Sequence, residues 1–371
     1  MAGRVPLARR SLFQDRRRAA LAAGGVAAAL LLVLLLDGIF AGAMRQVTAY
    51  LRSSPADVIV SQQGVRTMHM SASALPEATV AAAGRVPGAA WAEAIRFTST
   101  VVTGSGGQQL SYVIGYDPAS ERGGPRRLSA GRTPGPGEAV LDEIAAERIG
   151  VGLGDQVGLF GDRFRVSGLF TGGTNIANST TFVTTAEFAR LRGPAVSYVL
   201  VGARPGIDLN RLQAALSAAL PATTVQTRAE FARQEASLVK DMSADLMRIM
   251  TIVGFLIALA VVALTLFTLT LAKLSEYAVV KALGARTARL AGVVLAQAAW
   301  SVLLALGLAA LLAVLVGWAV EGANPSLSIA IEATSVTRAG LGALAVGAVG
   351  AVVPLRRVVA VDPASAFRRA S

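Results

Sequence analysis

The sequence predicts an α-helical membrane protein with four transmembrane helices plus a large α+β extracytoplasmic domain. Three observations carry that expectation. Of 371 residues, 53% are hydrophobic and 16% charged, with a mean hydropathy of +0.56, whereas a soluble domain carries about 25% charged residues. Four uncharged apolar runs approach or exceed the roughly 20 residues that a spanning helix needs. Between the first run and the second lie about 200 residues in which strand and helix periodicities alternate.

The runs are Ala19–Leu36, Ile249–Ala272, Leu290–Val320 and Ala339–Leu355. The last is short, but Arg338, Arg356 and Arg357 flank it and can extend their charges to the interface. The first is expected to continue to residue 43, so the membrane segments are 19–43, 249–272, 290–320 and 339–355. It resembles a signal peptide ending in Ala41-Gly42-Ala43, yet its apolar core exceeds the usual 7–15 residues, and retention is expected. Basic residues set the orientation. Six precede the first run, four lie in segment 273–289 and four follow the last run, against one in the loop 321–338. Segments 1–18, 273–289 and 356–371 are therefore expected in the cytoplasm, placing a multi-pass chain in the bacterial cell membrane with both termini inside. These pieces hold 14 basic and three acidic residues, which accounts for most of the net charge of +12. The basic balance reads as membrane orientation, and no nucleic-acid partner is expected.

Segment 44–248 reads as a split, ferredoxin-like subdomain carrying a β-rich insert over about 98–192. Asp57–Gln62, Ala90–Phe97, Val196–Ala203 and Thr223–Thr227 have strand character, with helices over Leu75–Ala83 and Asp208–Leu220. Asp208 is placed as an N-cap, and Leu209, Leu212, Leu216 and Leu220 share one helix face. Two β-α-β units separated in sequence are the signature of that subdomain. In the insert, Gln109–Tyr116 alternates, Asp142–Ile149 is a helix ended by Gly150, and Gln156–Phe170 is a hairpin with Gly161-Asp162 at its turn. Thr227-Arg228-Ala229-Glu230 forms a capping box. It opens a helix that runs from Ala229 through Asp245 into the second membrane segment with no Pro or Gly before Gly254.

Composition removes several chemistries. There is no Cys, so no disulfide, thiolate metal site or thiol nucleophile exists. His69 is the one His, too few for a His-based metal centre; a surface or partner-contacting role fits it better than copper binding with Met68 and Met70. None of the three Lys residues sits in a Gly-x-x-x-x-Gly-Lys-Ser/Thr loop, so ATP binding through a P-loop is not expected. Gly150–Gly154 reads as a helix-to-strand turn. Asn178-Ser179-Thr180 matches a glycosylation sequon, a short pattern common by chance. Asp37 is expected to be solvated or to cap a helix near the outer interface. No catalytic, cofactor or metal residue is assigned.

Small residues Ala339, Ala343, Gly347 and Ala351 fall at four-residue spacing on the fourth run, as Ala19, Ala23 and Ala27 do on the first. Such faces let helices approach closely, within the chain or across a dimer. The segment Ser275–Ala288 has an amphipathic helical pattern, with Tyr277, Val280 and Leu283 spaced by three and Gly284 at its end. A helix on the cytoplasmic face can dock into a protein or lie on lipid.

At this segment the chain resembles the FtsX/MacB-type permeases of ABC transporters. Glu276–Ala285, EYAVVKALGA, is similar to their signature after the second membrane helix, and Val361–Arg368, VDPASAFR, to their tail. Gly137–Phe170 resembles their extracytoplasmic core, while Tyr112–Pro118 and Thr227–Glu235 look most like the DevC branch. The resemblance implies a non-catalytic permease subunit, paired with a second copy or a paralogue and with two cytoplasmic ABC ATPase subunits that bind ATP and Mg. It implies that Glu276, Tyr277, Val280, Lys281, Leu283 and Gly284 form the coupling helix seated on the ATPase. ATP binding would move the outer domain, a mechanism called mechanotransmission. It also leaves room for an extracytoplasmic adaptor or hydrolase. The leading function is thus an exporter or mechanotransmission permease. The alternatives are a membrane-anchored sensor or an FtsX-like regulator of a cell-wall hydrolase.

Overall fold

The computed structural model describes residues 16–69, 71–174, 178–272, 281, 287–324, 327–350, 352 and 356. The chain divides into two units. One is drawn from Met1–Gly42, Ser243–Ala323 and Ser328–Ser371, the other from Ala43–Met242 and Asn324–Leu327.

The second unit is built on strands β1 (Val58–Gln62), β2 (Ala89–Thr103), β3 (Gln108–Tyr116), β4 (Leu128–Gly131), β5 (Glu138–Asp142), β6 (Gln156–Leu159), β7 (Asp162–Phe170), β8 (Ser179–Thr184), β9 (Tyr198–Ala203) and β10 (Thr223–Thr227). Its helices, counted after α1 (Arg16–Val47), are α2 (Ala49–Ser53), α3 (Ala78–Gly84), α4 (Glu143–Arg148), α5 (Thr185–Arg192) and α6 (Leu209–Ala219). All strands join one sheet, ordered β10-β1-β9-β2-β3-β8-β5-β7-β4, with β6 paired to β2 and β7. Strands β10-β1-β9-β2 with α3 and α6 form the ferredoxin-like β-α-β-β-α-β arrangement expected from the two separated units. Val58, Val60, Val199 and Val201 alternate onto the face that α3 and α6 cover through Ala83, Leu212 and Leu216.

The insert is continuous with that sheet. The first half of β2 pairs with β9 at Ala89–Ile95, and its second half pairs with β3 at Arg96–Thr103. One strand of 15 residues therefore serves both subdomains, running past the Phe97 end that the sequence suggests. The helix expected over Leu75–Ala83 begins later, at Ala78, because Leu75 instead bridges Val196 by two backbone hydrogen bonds. The β6–β7 hairpin turns at Phe160-Gly161, one residue before the expected pair, with φ of 57° and 86°. A two-residue turn that matches strand twist needs positive φ at both positions. Phe160 is held there by Phe188, edge to face at 5.6 Å.

The other unit holds helices α1, α7 (Arg228–Ala272, 45 residues), α8 (Thr287–Ala323) and α9 (Ala333–Gly350). Of these, α1 and α7 extend beyond the unit at one end. Among the described residues, Gly24–Val47 and Ala299–Ala323 are long and apolar enough to cross a membrane, while Ile252–Val261 and Ala333–Val349 are shorter apolar stretches. Small residues share the interior with Val26, Leu30, Leu34 and Val302, while many large apolar side chains face outward. Small residues Ala27, Ala305, Ala309, Ala313, Ala339 and Ala343 are buried, and Trp318, Leu341 and Leu264 are 78%, 70% and 65% exposed. That pattern suits lipid, where large apolar side chains gain nothing by turning inward and close backbone approach holds helices together. Asp37 is ion-paired to Arg338 at 3.0 Å at a solvent-accessible position. A second close approach uses Gly38 and Gly42 on α1. Gly38 accepts a hydrogen bond from the Ala330 amide at 2.9 Å, and a Cβ on Gly42 would meet the Ser328 carbonyl at 1.8 Å.

Candidate functional site

Helix α7 begins with the capping box. The Thr227 amide donates to Glu230 at 2.9 Å, and the Glu230 amide donates to the Thr227 hydroxyl at 3.2 Å. The Thr227 amide first, with the Thr227 hydroxyl, the Gln213 side-chain amide and the Arg233 charge, holds the Glu230 carboxyl below the usual carboxylate range. One turn further on, Phe231 and Glu235 lie four residues apart on the same face, and both are fully buried. Phe231 packs edge to face on Tyr198 at 5.8 Å. Glu235 accepts hydrogen bonds from the Met68 amide at 2.6 Å and the His69 amide at 3.1 Å, and its other contact is the His69 ring Nδ1. A buried carboxylate is tolerated where donors converge on it, as they do here. Glu235 thereby ties the loop after β1 to α7.

His69 makes its polar contacts within the chain, through its amide and ring to Glu235. Its ring also meets Tyr112 edge to face at 4.5 Å. Met68 is buried in the core rather than presented beside His69, and Met70 lies outside the described residues. Asn178, of the sequon, donates its side-chain amide to the Tyr112 hydroxyl at 2.7 Å.

Above this node lies a cavity of about 630 Å³, enclosed by Tyr50, Phe97, Tyr112, Ile114, Phe170 and Phe182 together with Met68 and His69. Its volume falls in the roughly 300–1,000 Å³ typical of ligand sites. Asp142 shapes one wall. It caps α4 through the Ile144 amide at 3.1 Å and accepts from the Gly173 amide at 2.7 Å and the Thr174 hydroxyl at 2.5 Å. Tyr50 donates to the Gly123 carbonyl at 3.0 Å and so holds the loop that closes another wall. Burial raises the phenols of Tyr50, Tyr116 and Tyr198 well above their ordinary value of 10.0, with Glu121 and Asp117 adding to Tyr116 and Glu235 to Tyr198.

The residues singled out in the sequence fall differently. Ala339, Ala343 and Gly347 line the buried face of α9 within the chain, where a Cβ on Gly347 would lie 3.3 Å from Val302. Ala351 is outside the described residues, as are Glu276, Tyr277, Val280, Leu283 and Gly284; of that segment Lys281 is described, in helical conformation. Glu235 escaped the sequence reading. Its signal was an acidic residue one helical turn from Phe231, on the face that periodicity assigns to the core.

A sheet of this topology leading into a long helix, in a chain whose helical unit buries small residues, defines a membrane protein with an extracytoplasmic α+β domain. Two family models match it. The MacB-like periplasmic core domain matches residues 19–219, and the FtsX-like permease C-terminal matches residues 248–363. The chain belongs to the FtsX/MacB family of ABC transporter permeases. Among curated proteins it is 25% identical over 340 residues to an uncharacterized ABC transporter permease of Mycobacterium tuberculosis strain CDC 1551 / Oshkosh, covering 90% of each chain. The counterpart in strain ATCC 25618 / H37Rv matches equally. Solved structures with similarity include the periplasmic region of MacB from Actinobacillus actinomycetemcomitans, at 13% identity and a TM-score of 0.39, covering 50% of this chain and 94% of that one. The extracellular domain of the noncanonic ABC-type transporter YknZ from Gram-positive bacteria has 14% identity and a TM-score of 0.38, covering 46% and 99%.

Proposed function

We propose that this chain is the membrane subunit of an ABC exporter or mechanotransmission complex, in which a separate cytoplasmic ATPase drives movement of the outer domain. The observation that carries the reading is α7, one helix from Arg228 to Ala272 that is anchored in the outer domain at Glu235 and contains the second apolar run. A continuous helix transmits displacement along its axis because its backbone hydrogen bonds resist local extension. The chain crosses the membrane four times with both termini in the cytoplasm, in keeping with its basic flanks. Two copies of the permease, or one and a paralogue, assemble with two ATPase subunits, which bind ATP and Mg. Export is favoured over activation of an outer hydrolase, because the outer domain carries a cavity of ligand size.

Coupling runs through Glu276–Gly284. Tyr277, Val280 and Leu283 fill an apolar groove of the ATPase, with Glu276 and Lys281 at its rim. Buried anchors of this type carry about 2 kcal/mol or more each, and rim charges contribute less. Tyr277→Ala with Leu283→Ala is expected to release the ATPase on co-purification, while Lys281→Ala weakens it mildly. Wild-type stoichiometry in the double variant places the segment on lipid and ends the coupling proposal.

A further inference from the structure

The aromatic cavity does not stand alone. A second cavity of about 610 Å³ adjoins it, and the two share Ser53 and the strap Gly124–Arg127. Both have mixed walls, and Arg126 and Arg127 line the two in common. No Asp or Glu lines the first, where the rings of Tyr50, Phe97, Tyr112, Phe170 and Phe182 form an aromatic part of the wall. The second is lined by Arg52, Arg126, Arg127 and Arg228 against the one acid Glu121. Tyr116 also lines it; the residue is 1% exposed, and its hydroxyl is buried without a hydrogen-bond partner. A buried hydroxyl left unpaired costs about 1–3 kcal/mol, so its place in a cavity that four arginines also line points to an acceptor supplied from outside the chain. The strap packs closely on this group, since a Cβ on Gly124 would meet the Tyr116 ring at 2.2 Å.

From this juxtaposition we infer that the outer domain binds an anionic amphiphile. Its apolar portion occupies the aromatic cavity, and its anionic head lies among the four arginines and accepts a hydrogen bond from Tyr116. Guanidinium groups suit carboxylate and phosphate heads because they bind them with two parallel hydrogen bonds. Aromatic walls suit an acyl or ring-bearing body, which they remove from water. The His69 ring forms part of the aromatic wall and is bound to Glu235 of α7, so an occupant touches the residue that leads to the long helix. The binding inference rests on the cavities alone and stands whether or not an ATPase is coupled to the chain.

The chain has no Cys, so a single Thr180→Cys probe on the cavity wall reports occupancy directly. The full chain in phosphatidylcholine nanodiscs is exposed to a thiol reagent with dodecyl phosphate, dodecanol or inorganic phosphate added. Dodecyl phosphate is expected to slow modification saturably, with an affinity about tenfold above that of dodecanol, as one charge-assisted contact supplies. Inorganic phosphate is expected to give no protection. Arg126→Gln with Arg127→Gln, both exposed positions, removes the preference for dodecyl phosphate over dodecanol. Tyr116→Phe weakens dodecyl phosphate several-fold without affecting dodecanol. Ala119→Cys, outside the cavities, is not protected. Protection in phosphatidylglycerol nanodiscs without added probe identifies membrane lipid as the source; its absence there, with dodecyl phosphate still protective, identifies a soluble amphiphile. Equilibrium dialysis of radiolabelled dodecyl phosphate against the chain with and without the arginine pair repeats the test without the Cys. Equal affinity for dodecyl phosphate and dodecanol, protection by inorganic phosphate, or dialysis binding indifferent to the arginines overturns the inference.

Discussion

Glu235 is the contact whose loss is most informative. Replacing it with Ala leaves the Met68 and His69 amides and the His69 ring without their acceptor in a buried site. Each hydrogen bond to a charged group contributes about 1.5–3 kcal/mol. The losses do not add fully, because the loop after β1 can shift and admit water. A net cost of about 3 kcal/mol is expected for Glu235→Ala, less than the plain sum of three such bonds. Glu235→Gln keeps the volume and one acceptor oxygen but turns a donor toward donors, and about 1–2 kcal/mol is expected. For a domain of this size, 1 kcal/mol corresponds to about 2–4 °C. The Ala variant should therefore melt about 6–12 °C below the parent chain and the Gln variant about 2–8 °C below. Near-UV circular dichroism reports this unit through Trp91 and four of the five tyrosines, with Trp300 and Trp318 contributing from the other unit. Melting of both variants with the parent chain would show that Glu235 does not hold the loop. Equal losses for Gln and Ala would show that volume, rather than charge, is what matters there.

Other outcomes follow from the same geometry. Ala236→Pro removes one backbone bond from α7 and kinks it, at about 3 kcal/mol; transport should uncouple from ATP hydrolysis while the complex still assembles, and unchanged transport would show the rod is not needed. Tyr50, Tyr116 and Tyr198 have raised folded values, so their neutral forms stabilise the outer domain fully below about pH 10, and that contribution is lost as pH rises beyond it. Spectrophotometric titration should show these three phenols ionising together with unfolding rather than in a smooth step near pH 10. In intact cells an impermeant thiol reagent should label Ser120→Cys and spare Ser275→Cys; labelling of Ser275→Cys would contradict the four-crossing topology.

Much of the architecture was legible in local pattern. The β-rich run Asp57–Gln62, the strand Thr223–Thr227, the Asp208 N-cap and the Thr227–Glu230 capping box are short-range features, and each appears where the sequence places it. Glycine and steric constraints were also local, as at the end of α4, where Gly150 takes φ of 69°. What depended on distant partners was less visible. The extension of β2 to Thr103 required β3 to lie beside it, and the later start of α3 required Val196 to pair with Leu75.

The candidate site divides the same way. The sequence by itself determined that the chain lacks thiol chemistry and a P-loop, that its apolar runs suit a membrane, and that its motifs resemble the FtsX/MacB permeases. Those conclusions need only composition, order and spacing. Tertiary structure decided that His69 meets a carboxylate 166 residues away, that Asp37 meets Arg338, and that arginines from three segments line one cavity with a tyrosine whose hydroxyl is unpaired. The physical reason is that a buried polar group is defined by the donors and acceptors around it, and folding brings those from strands, loops and helices that no local period connects.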